Sequence, residues 1–374
     1  MREIYLDNAA TTCVYPKVVK AMKSAFSKNF GNPSSLHVKG EQAFKEINEA
    51  RKKIAAEIES KPHEIVFTSG GTESNNLAIQ GIARANKDKK KNKIIISAIE
   101  HASVVETCEF LKKEGYKIAR IPVDESGFVD LEFLEREADK KTLLVCVMHA
   151  NNIFGTIQNL REIGRICSKK DVLFHSDCVQ SFGKLKINVN DWGIDLLSAS
   201  GHKIGGAKGA GFLYVRDGIN VSPLIFGGGQ EKGLRSGTEN VPAIIGFEKA
   251  LEICKKVNWI KVGNVRNLLI SELEKIGGKI NGTRGENRIW GNVHVSFPGV
   301  DAEKLIYELS QKGIYVSAGS ACESKKKRED YVLRAIGLDK KEISGSIRLT
   351  LNEENGERDV RRVVGEVEEF IGNK

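Results

Sequence analysis

A chain of 374 residues is longer than one hydrophobic core usually fills, and 40% hydrophobic with 29% charged residues is the balance of a globular protein, not of a disordered or collagen-like one. No apolar run approaches the roughly 20 residues that span a bilayer, and Arg2 and Glu3 interrupt the amino terminus where a secretory signal would be continuously apolar, so a cytoplasmic location is expected. The net charge of +9 raises nucleic acid as a partner, but the densest basic stretch, residues 87–93, lacks interleaved aromatics and reads as a solvated loop; no direct nucleic-acid or membrane contact is expected.

In chain order, apolar runs of strand length occur at residues 65–68, 94–97, 143–148, 172–175, 196–199 and 212–215. Helical apolar spacing falls between them, at 74–85, 103–114, 131–138 and 160–169. This alternation predicts an α/β fold with a mostly parallel central sheet and helices on both faces. The run at 212–215 follows residue 203 after only a glycine-rich connector, too short for a helical crossover, so it is expected to pair antiparallel. After about residue 250 the pattern changes to a long helical stretch, strands near 293–297, 315–317 and 347–351, a helix at 302–312 and a final amphipathic helix. These predict a smaller α+β domain. The expected division is a large domain over 13–250 and a small one over 1–12 and 251–374.

In an open α/β sheet the ligand crevice lies beyond the carboxyl ends of the strands, so chemistry-bearing residues just after the apolar runs carry most weight. Lys203 follows the run at 196–199 through Ser200, Gly201 and His202. A partly desolvated lysine loses proton affinity and attacks aldehydes, which is what holding pyridoxal phosphate as a Schiff base requires. The run at 65–68 ends in Gly70, Gly71 and Thr72, where a helix amino terminus capped by Thr72 would suit a phosphate. Asp177 ends another run and could keep a pyridine nitrogen protonated, with Gln180 near the ring's phenolic oxygen. His101, preceded by Glu100, could stack on the ring or move protons, and Asn151 and Asn152 add neutral donors at the same edge. His37 and His63 read as surface residues.

Seven cysteines without a C-x-x-C pair fit neither a disulfide framework nor a zinc knuckle. Cys146 and Cys254 read as buried apolar residues, whereas Cys322 sits in a loop-like setting among Gly319, Ser320 and Ala321.

The motifs spanning residues 5–12, 31–35, 68–76, 200–203, 235–238 and 319–322 together resemble the cysteine desulfurases of the NifS/IscS type, within the class V aminotransferase family of fold type I pyridoxal phosphate enzymes. The resemblance implies Lys203 as the cofactor lysine, Asp177 as the pyridinium partner and His101 as the stacked acid/base. Gly71, Thr72, Ser200 and His202 become phosphate or ring contacts, Gln180 a contact to the phenolic oxygen and Asn152 a contact to cofactor or substrate. Arg348 would clamp the substrate carboxylate, for which a guanidinium fork is suited. Thr238 would reach the phosphate of a neighbouring subunit, implying a homodimer with shared sites.

Within this family the thiolate of Cys322 would take the sulfur of L-cysteine as a persulfide, leaving L-alanine, for iron–sulfur cluster assembly or tRNA thiolation. Lys325, Lys326, Lys327 and Arg328 would favour that thiolate. The same basic run either docks an acidic protein sulfur acceptor or is a solvated loop. No resident metal is expected, with Cys322 a candidate transient iron–sulfur ligand. A selenocysteine lyase or an aminotransferase on the same scaffold is the alternative, and an exposed thiol nucleophile favours desulfuration. Three departures from the family pattern stand out: Ile153 and Phe154 replace a usual carboxylate and small residue, Gly205-Gly206-Ala207 replaces Tyr-Gly-Pro and is expected to loosen that connector, and Asn352-Glu353 replaces Gly-Arg. The chain also ends soon after its last helix.

Overall fold

The apolar runs before residue 216 assemble into one seven-stranded sheet in the computed structural model, which describes residues 2–86, 90–318 and 331–372. After β1 (Ile4–Tyr5) and the helices α1 (Pro16–Lys28) and α2 (Val38–Glu57), its strands are β2 (Ile65–Thr68), β3 (Lys93–Ser97), β4 (Lys117–Ile121), β5 (Thr142–Cys146), β6 (Leu173–Asp177), β7 (Leu196–Ser200) and β8 (Gly211–Val215). Their spatial order is β2-β8-β7-β6-β5-β3-β4. Pairs from β7 out to β4 are parallel, and β8 runs antiparallel to both β2 and β7, as its short connector requires.

Every residue of β2, β5, β7 and β8 is buried, because helices cover both faces and leave no polar side to alternate with. One core gathers Ile54, Ile95, Val145, Phe174, Phe212 and Phe247, and a second gathers Leu77, Ile94, Leu144 and Leu213. The covering helices include α3 (Gly71–Ala85), α4 (Ala102–Lys113), α5 (Leu131–Glu137), α6 (Leu160–Lys169) and α7 (Val241–Cys254). The edge strand β4 is absent from the sequence reading because Lys117 and Arg120 break its apolar run, the kind of charged substitution an edge tolerates. Helix α2 is equally hidden: Ala43, Ile47, Ala50 and Ile54 form its buried stripe, while charged residues predominate elsewhere and Phe44 is exposed.

The remaining elements are α8 (Trp259–Lys275), β9 (Lys279–Ile280), β10 (Asn292–Ser296), α9 (Ala302–Gln311), β11 (Ile314–Tyr315), β12 (Ser317–Ala318), α10 (Lys340–Ser344), β13 (Ser346–Thr350) and α11 (Glu357–Gly372). Strands β12-β13-β10-β9 form an antiparallel sheet with its own core of Leu269, Leu273, Val295, Leu305, Ile347 and Val363. β1 returns the amino terminus to this unit, pairing parallel with β11. No helix among the described residues is long and apolar enough to cross a membrane. Cys322 and the basic run at 325–328 lie outside the described residues.

The glycines after Lys203 do not loosen the connector; they let it be tightly packed. Gly205 has φ +83°, and a Cβ there would lie 2.1 Å from the ring of Tyr15, while one on Gly206 would lie 2.8 Å from the carbonyl of Gly201. Tyr15 N–H donates to Gly205 O at 3.1 Å, and the Tyr15 hydroxyl donates to Glu353 Oε1 at 2.7 Å. Two departures from the family pattern, Gly205 and Glu353, therefore meet on one tyrosine. We expect Gly205→Ala to destabilise the cofactor-free protein by about 2 kcal/mol, seen as a lower urea midpoint. In a Tyr15→Ala background the cost of Gly205→Ala should be smaller, leaving only that of the positive φ. An unchanged midpoint in the single variant would refute this packing.

Candidate active site

Five strand ends and one arginine from the second sheet surround a cavity of about 340 Å³. β2 ends in the turn Ser69-Gly70, and α3 starts at Gly71. A Cβ on Gly71 would stand 2.6 Å from Val179 Cγ2, so glycine lets the helix end approach the loop after β6. Thr72 is the second helical residue and not the cap expected from sequence; the turn is closed instead by the hydroxyls of Thr68 and Ser74, 2.8 Å apart. The first N–H groups of α3 have no intrahelical acceptor, which makes this end of the cavity attractive to an anion.

Asp177, the last residue of β6, is 5% exposed. Its Oδ1 accepts from Val179 N–H at 2.9 Å, and its Oδ2 accepts from Asn75 Nδ2 at 2.7 Å. Asn75 also donates to Ser103 Oγ at 2.8 Å. Sequence reasoning missed this asparagine as a site residue; its signal was a polar side chain on the face of α3 that otherwise carries Ala78, Ile79 and Ile82.

Lys203 closes a one-turn 3₁₀ helix after β7 and is half-buried. Its ammonium donates to the carbonyls of Ala9 and Ala10, at 2.5 and 2.8 Å. Burial first, then the cations Arg348 and Lys184, bring its pKa down to about 7 against the pull of Asp177 and Asp7. Beside it, His202 Nδ1 lies 3.1 Å from Thr11 Oγ1, and burial together with Lys203, Lys208 and Lys184 pushes the imidazole down to about 4. Both groups are thus inclined to be neutral, the state a nucleophilic amine and an uncharged contact require.

His101 caps α4. Ser103 N–H donates to its Nδ1 at 3.1 Å, so Nδ1 accepts and the proton of the neutral ring sits on Nε2. The ring is open to solvent at the cavity mouth, yet the crowded crevice lowers its pKa, with Asp177 opposing and Lys203 reinforcing. Below it, fully buried Glu100 accepts from Ser97 Oγ and, at 2.8 Å, from Met148 N–H, joining the loops after β3 and β5; burial raises its pKa to about 8.

Only one of the two adjacent asparagines faces the cavity. Asn151 turns inward, donating to Ile99 O and accepting from the N–H groups of Ile153 and Phe154, whereas Asn152 lines the wall. Arg348, on β13, donates to Asn152 O at 3.1 Å and to Asp7 Oδ1 at 2.8 Å. Gln180 Nε2 donates to Ala9 O at 3.0 Å.

The structure thus brings Gly71, Thr72, His101, Asn152, Asp177, Gln180, Ser200, His202, Lys203 and Arg348 to one wall. Thr238 is not among them: it is exposed on a loop after β8. Cys322 lies outside the described residues. Sequence singled out Cys322 alone as loop-like, but Cys13 is also exposed and borders a smaller cavity of about 80 Å³ that shares Lys203. Cys108, Cys146, Cys167, Cys178 and Cys254 are buried, and burial pushes the thiols of Cys108, Cys167, Cys178 and Cys254 up to about 12, which leaves them unreactive.

Residues 4–363 match the family model described as aminotransferase class-V. The chain is 43% identical over 369 residues to the cysteine desulfurase IscS of Clostridium botulinum (strain Hall), covering 97% of this chain and 93% of that protein. It is 44% identical over 377 residues to the cysteine desulfurase IscS of Dictyoglomus turgidum, covering 99% and 95%. A solved structure of a NifS-like protein superposes with a TM-score of 0.94 at 38% identity, covering all of both chains.

In the cofactor-free protein we expect amine-directed labelling of Lys203 to rise with a midpoint near pH 7, several units below an ordinary lysine. Arg348→Met removes a cation and should move the midpoint up; Asp177→Asn removes an anion and should move it down. Site-resolved mass spectrometry across pH would decide, and a midpoint near 10 would contradict the burial described here.

Proposed function

The chain belongs to the class-V aminotransferase family, and from that membership we infer that it is a pyridoxal-phosphate-dependent cysteine desulfurase, converting L-cysteine to L-alanine with transfer of the sulfur to an enzyme persulfide. The observation that carries this reading is the convergence on one cavity of a half-buried lysine of lowered proton affinity, a doubly anchored carboxylate and the amino-terminal end of a 15-residue helix. That donor set fits the cofactor: the first turn of α3 would hold its phosphate, and Asp177 would face its pyridine nitrogen. When bound, pyridoxal phosphate supplies an electrophilic carbonyl and an electron-accepting ring.

The protein's own groups divide the remaining work. Gly71, Thr72, Ser200 and His202 would hold the phosphate, and Gln180 the phenolic oxygen. Asn75 and Val179 N–H keep the Asp177 carboxylate oriented, so its geometry does not wait for a ligand. Lys203, with a pKa of about 7, can accept and return a proton at Nζ near neutral pH. His101 presents Nε2–H from the mouth, where it would stack and hold a proton in place. Arg348 would exchange its bond to Asp7 for the substrate carboxylate, with Asn152 beside it.

The sulfur acceptor of this reading is Cys322. It would carry the sulfur as a persulfide to a protein acceptor serving iron–sulfur cluster assembly or tRNA thiolation. The proposed enzyme is a homodimer in which Thr238 of each chain completes the phosphate site of the other; its exposure, away from its own cavity, supports that role. A division into a large domain at 13–250 and a small one at 1–12 and 251–374 goes with this reading, since Arg348 and the segment before Cys322 both stem from the second sheet.

Alanine and sulfide release from L-cysteine should separate these roles. We expect Cys322→Ala to keep the visible absorbance of the lysine-bound cofactor while sulfide falls by at least about a hundredfold, and Lys203→Ala to lose both. Sulfide output equal to wild type in Cys322→Ala would remove that thiol from the reaction, and consumption of a keto acid without sulfide would replace desulfuration by transamination.

A further inference from the structure

Between β8 and α7 the chain forms an arch rich in glycine that ends at Gly237 and the exposed Thr238. Two successive non-glycine residues in it, Glu231 (φ 47°) and Lys232 (φ 58°), occupy the left-handed region, which persists only where surrounding contacts over-determine the backbone. Glu231 supplies those contacts. Its two carboxylate oxygens accept from Arg51 Nη1 and Nη2, each at 2.7 Å, and Oε2 also accepts from Phe67 N–H at 2.8 Å. The Arg51 guanidinium lies 4.7 Å from the centroid of the Phe67 ring and donates to Ile65 O at 2.7 Å. This foot of the arch therefore stands on β2.

The other foot stands on the turn that β2 leads into. Arg235 Nε donates to Glu73 Oε1 at 2.9 Å, and Glu73 Oε2 accepts from Ser69 N–H at 2.8 Å. Burial alone would raise the Glu73 carboxyl, but the bonds from Arg235 and Ser69 hold it below the usual range. Between the feet, Gly237 N–H donates to Gln230 Oε1 at 2.8 Å and Gly229 N–H to Ser236 Oγ at 3.3 Å, closing the arch on itself. Thr238 thus extends from a braced loop clamped at both ends to the strand, turn and helix that carry Gly71 and Thr72.

We propose that Arg235 and Glu231 are positioning residues which, through Glu73 and Arg51, fix the reach of Thr238 into the partner's phosphate site by tying it to the phosphate turn of its own protomer. The inference rests on the reading of Thr238 as a cross-subunit contact. Its consequence is directional: loss of the Arg235–Glu73 bond weakens cofactor binding in the other subunit of the dimer.

Hybrid dimers with a single Lys203, the other subunit carrying Lys203→Ala, make the direction measurable. Pyridoxal phosphate is titrated into each hybrid and followed by the visible absorbance of the lysine-bound cofactor, with sedimentation confirming the dimer and thermal unfolding confirming the fold. With Arg235→Met on the subunit lacking Lys203, the dissociation constant should rise about tenfold or more; with Arg235→Met on the subunit bearing Lys203, it should stay near that of the unsubstituted hybrid. Arg235→Lys in the first arrangement should restore part of the affinity. Equal losses in both arrangements, loss only in the second, or no loss in either would overturn the proposal. Thr238→Val on the subunit lacking Lys203 tests the underlying reading: if it weakens binding while Arg235→Met does not, the positioning role alone fails. If it is silent, the cross-subunit contact fails and the inference with it.

Discussion

Residues 4–15 stitch the two sheets together across the cavity, and most of the site's geometry depends on that seam. On one side, Leu6 N–H donates to Tyr315 O, Thr350 N–H to Leu6 O, Asn8 Nδ2 to Thr350 O and Ala9 N–H to Thr350 Oγ1. On the other, Lys203 and Gln180 both donate to Ala9 O, Thr12 bonds His202 O, and Tyr15 packs on Gly205. The segment contributes mainly backbone groups with obligatory hydrogen-bonding needs, to which the side chains of Asn8, Thr12 and Tyr15 add. Arg348 reaches the cavity from β13 only because this seam brings that strand alongside the ends of β6 and β7, and Asp7 of the same segment receives its guanidinium.

The electrostatics follow from that closeness. Lys203, Lys184 and Arg348 share a region from which water is largely excluded, and the fold offers Asp177 and Asp7 as nearby anions. Like charges and burial together favour the unprotonated amine, so the folded protein binds fewer protons here than the unfolded chain between about pH 7 and the ordinary lysine range. Stability of the cofactor-free protein therefore rises with pH through that window and is lost as pH falls toward 7. A reactive amine is obtained at the expense of stability, the usual relation at active sites.

Much of this was legible in the amino-acid order, for identifiable reasons. Lys203, Asp177, His101 and Gly71 each follow an apolar run, and in a parallel sheet all such ends emerge on one edge. What escaped was written in contacts between distant segments. Asn75 looks like one more polar residue of α3 until Asp177, 102 positions away, is seen to accept its amide hydrogen. Asn151 and Asn152 are chemically identical in sequence, yet a turn sends one to the interior and the other to the cavity. Its place after two glycines makes Thr72 look like a cap, but Gly70 takes that position.

The order of residues alone determined the α/β class, the antiparallel return of β8 and which strand ends bring polar side chains to the cavity, because these rest on periodicity and connection length, both local quantities. Only the folded chain decided that Gly205 is packed against Tyr15 and not loose, that Cys13 is exposed and lines a cavity shared with Lys203, and that Arg51 and Glu73 brace the arch leading to Thr238. Each of those joins residues far apart along the chain, and the free energy of such a contact exists only once the backbone has brought its partners within a few ångströms.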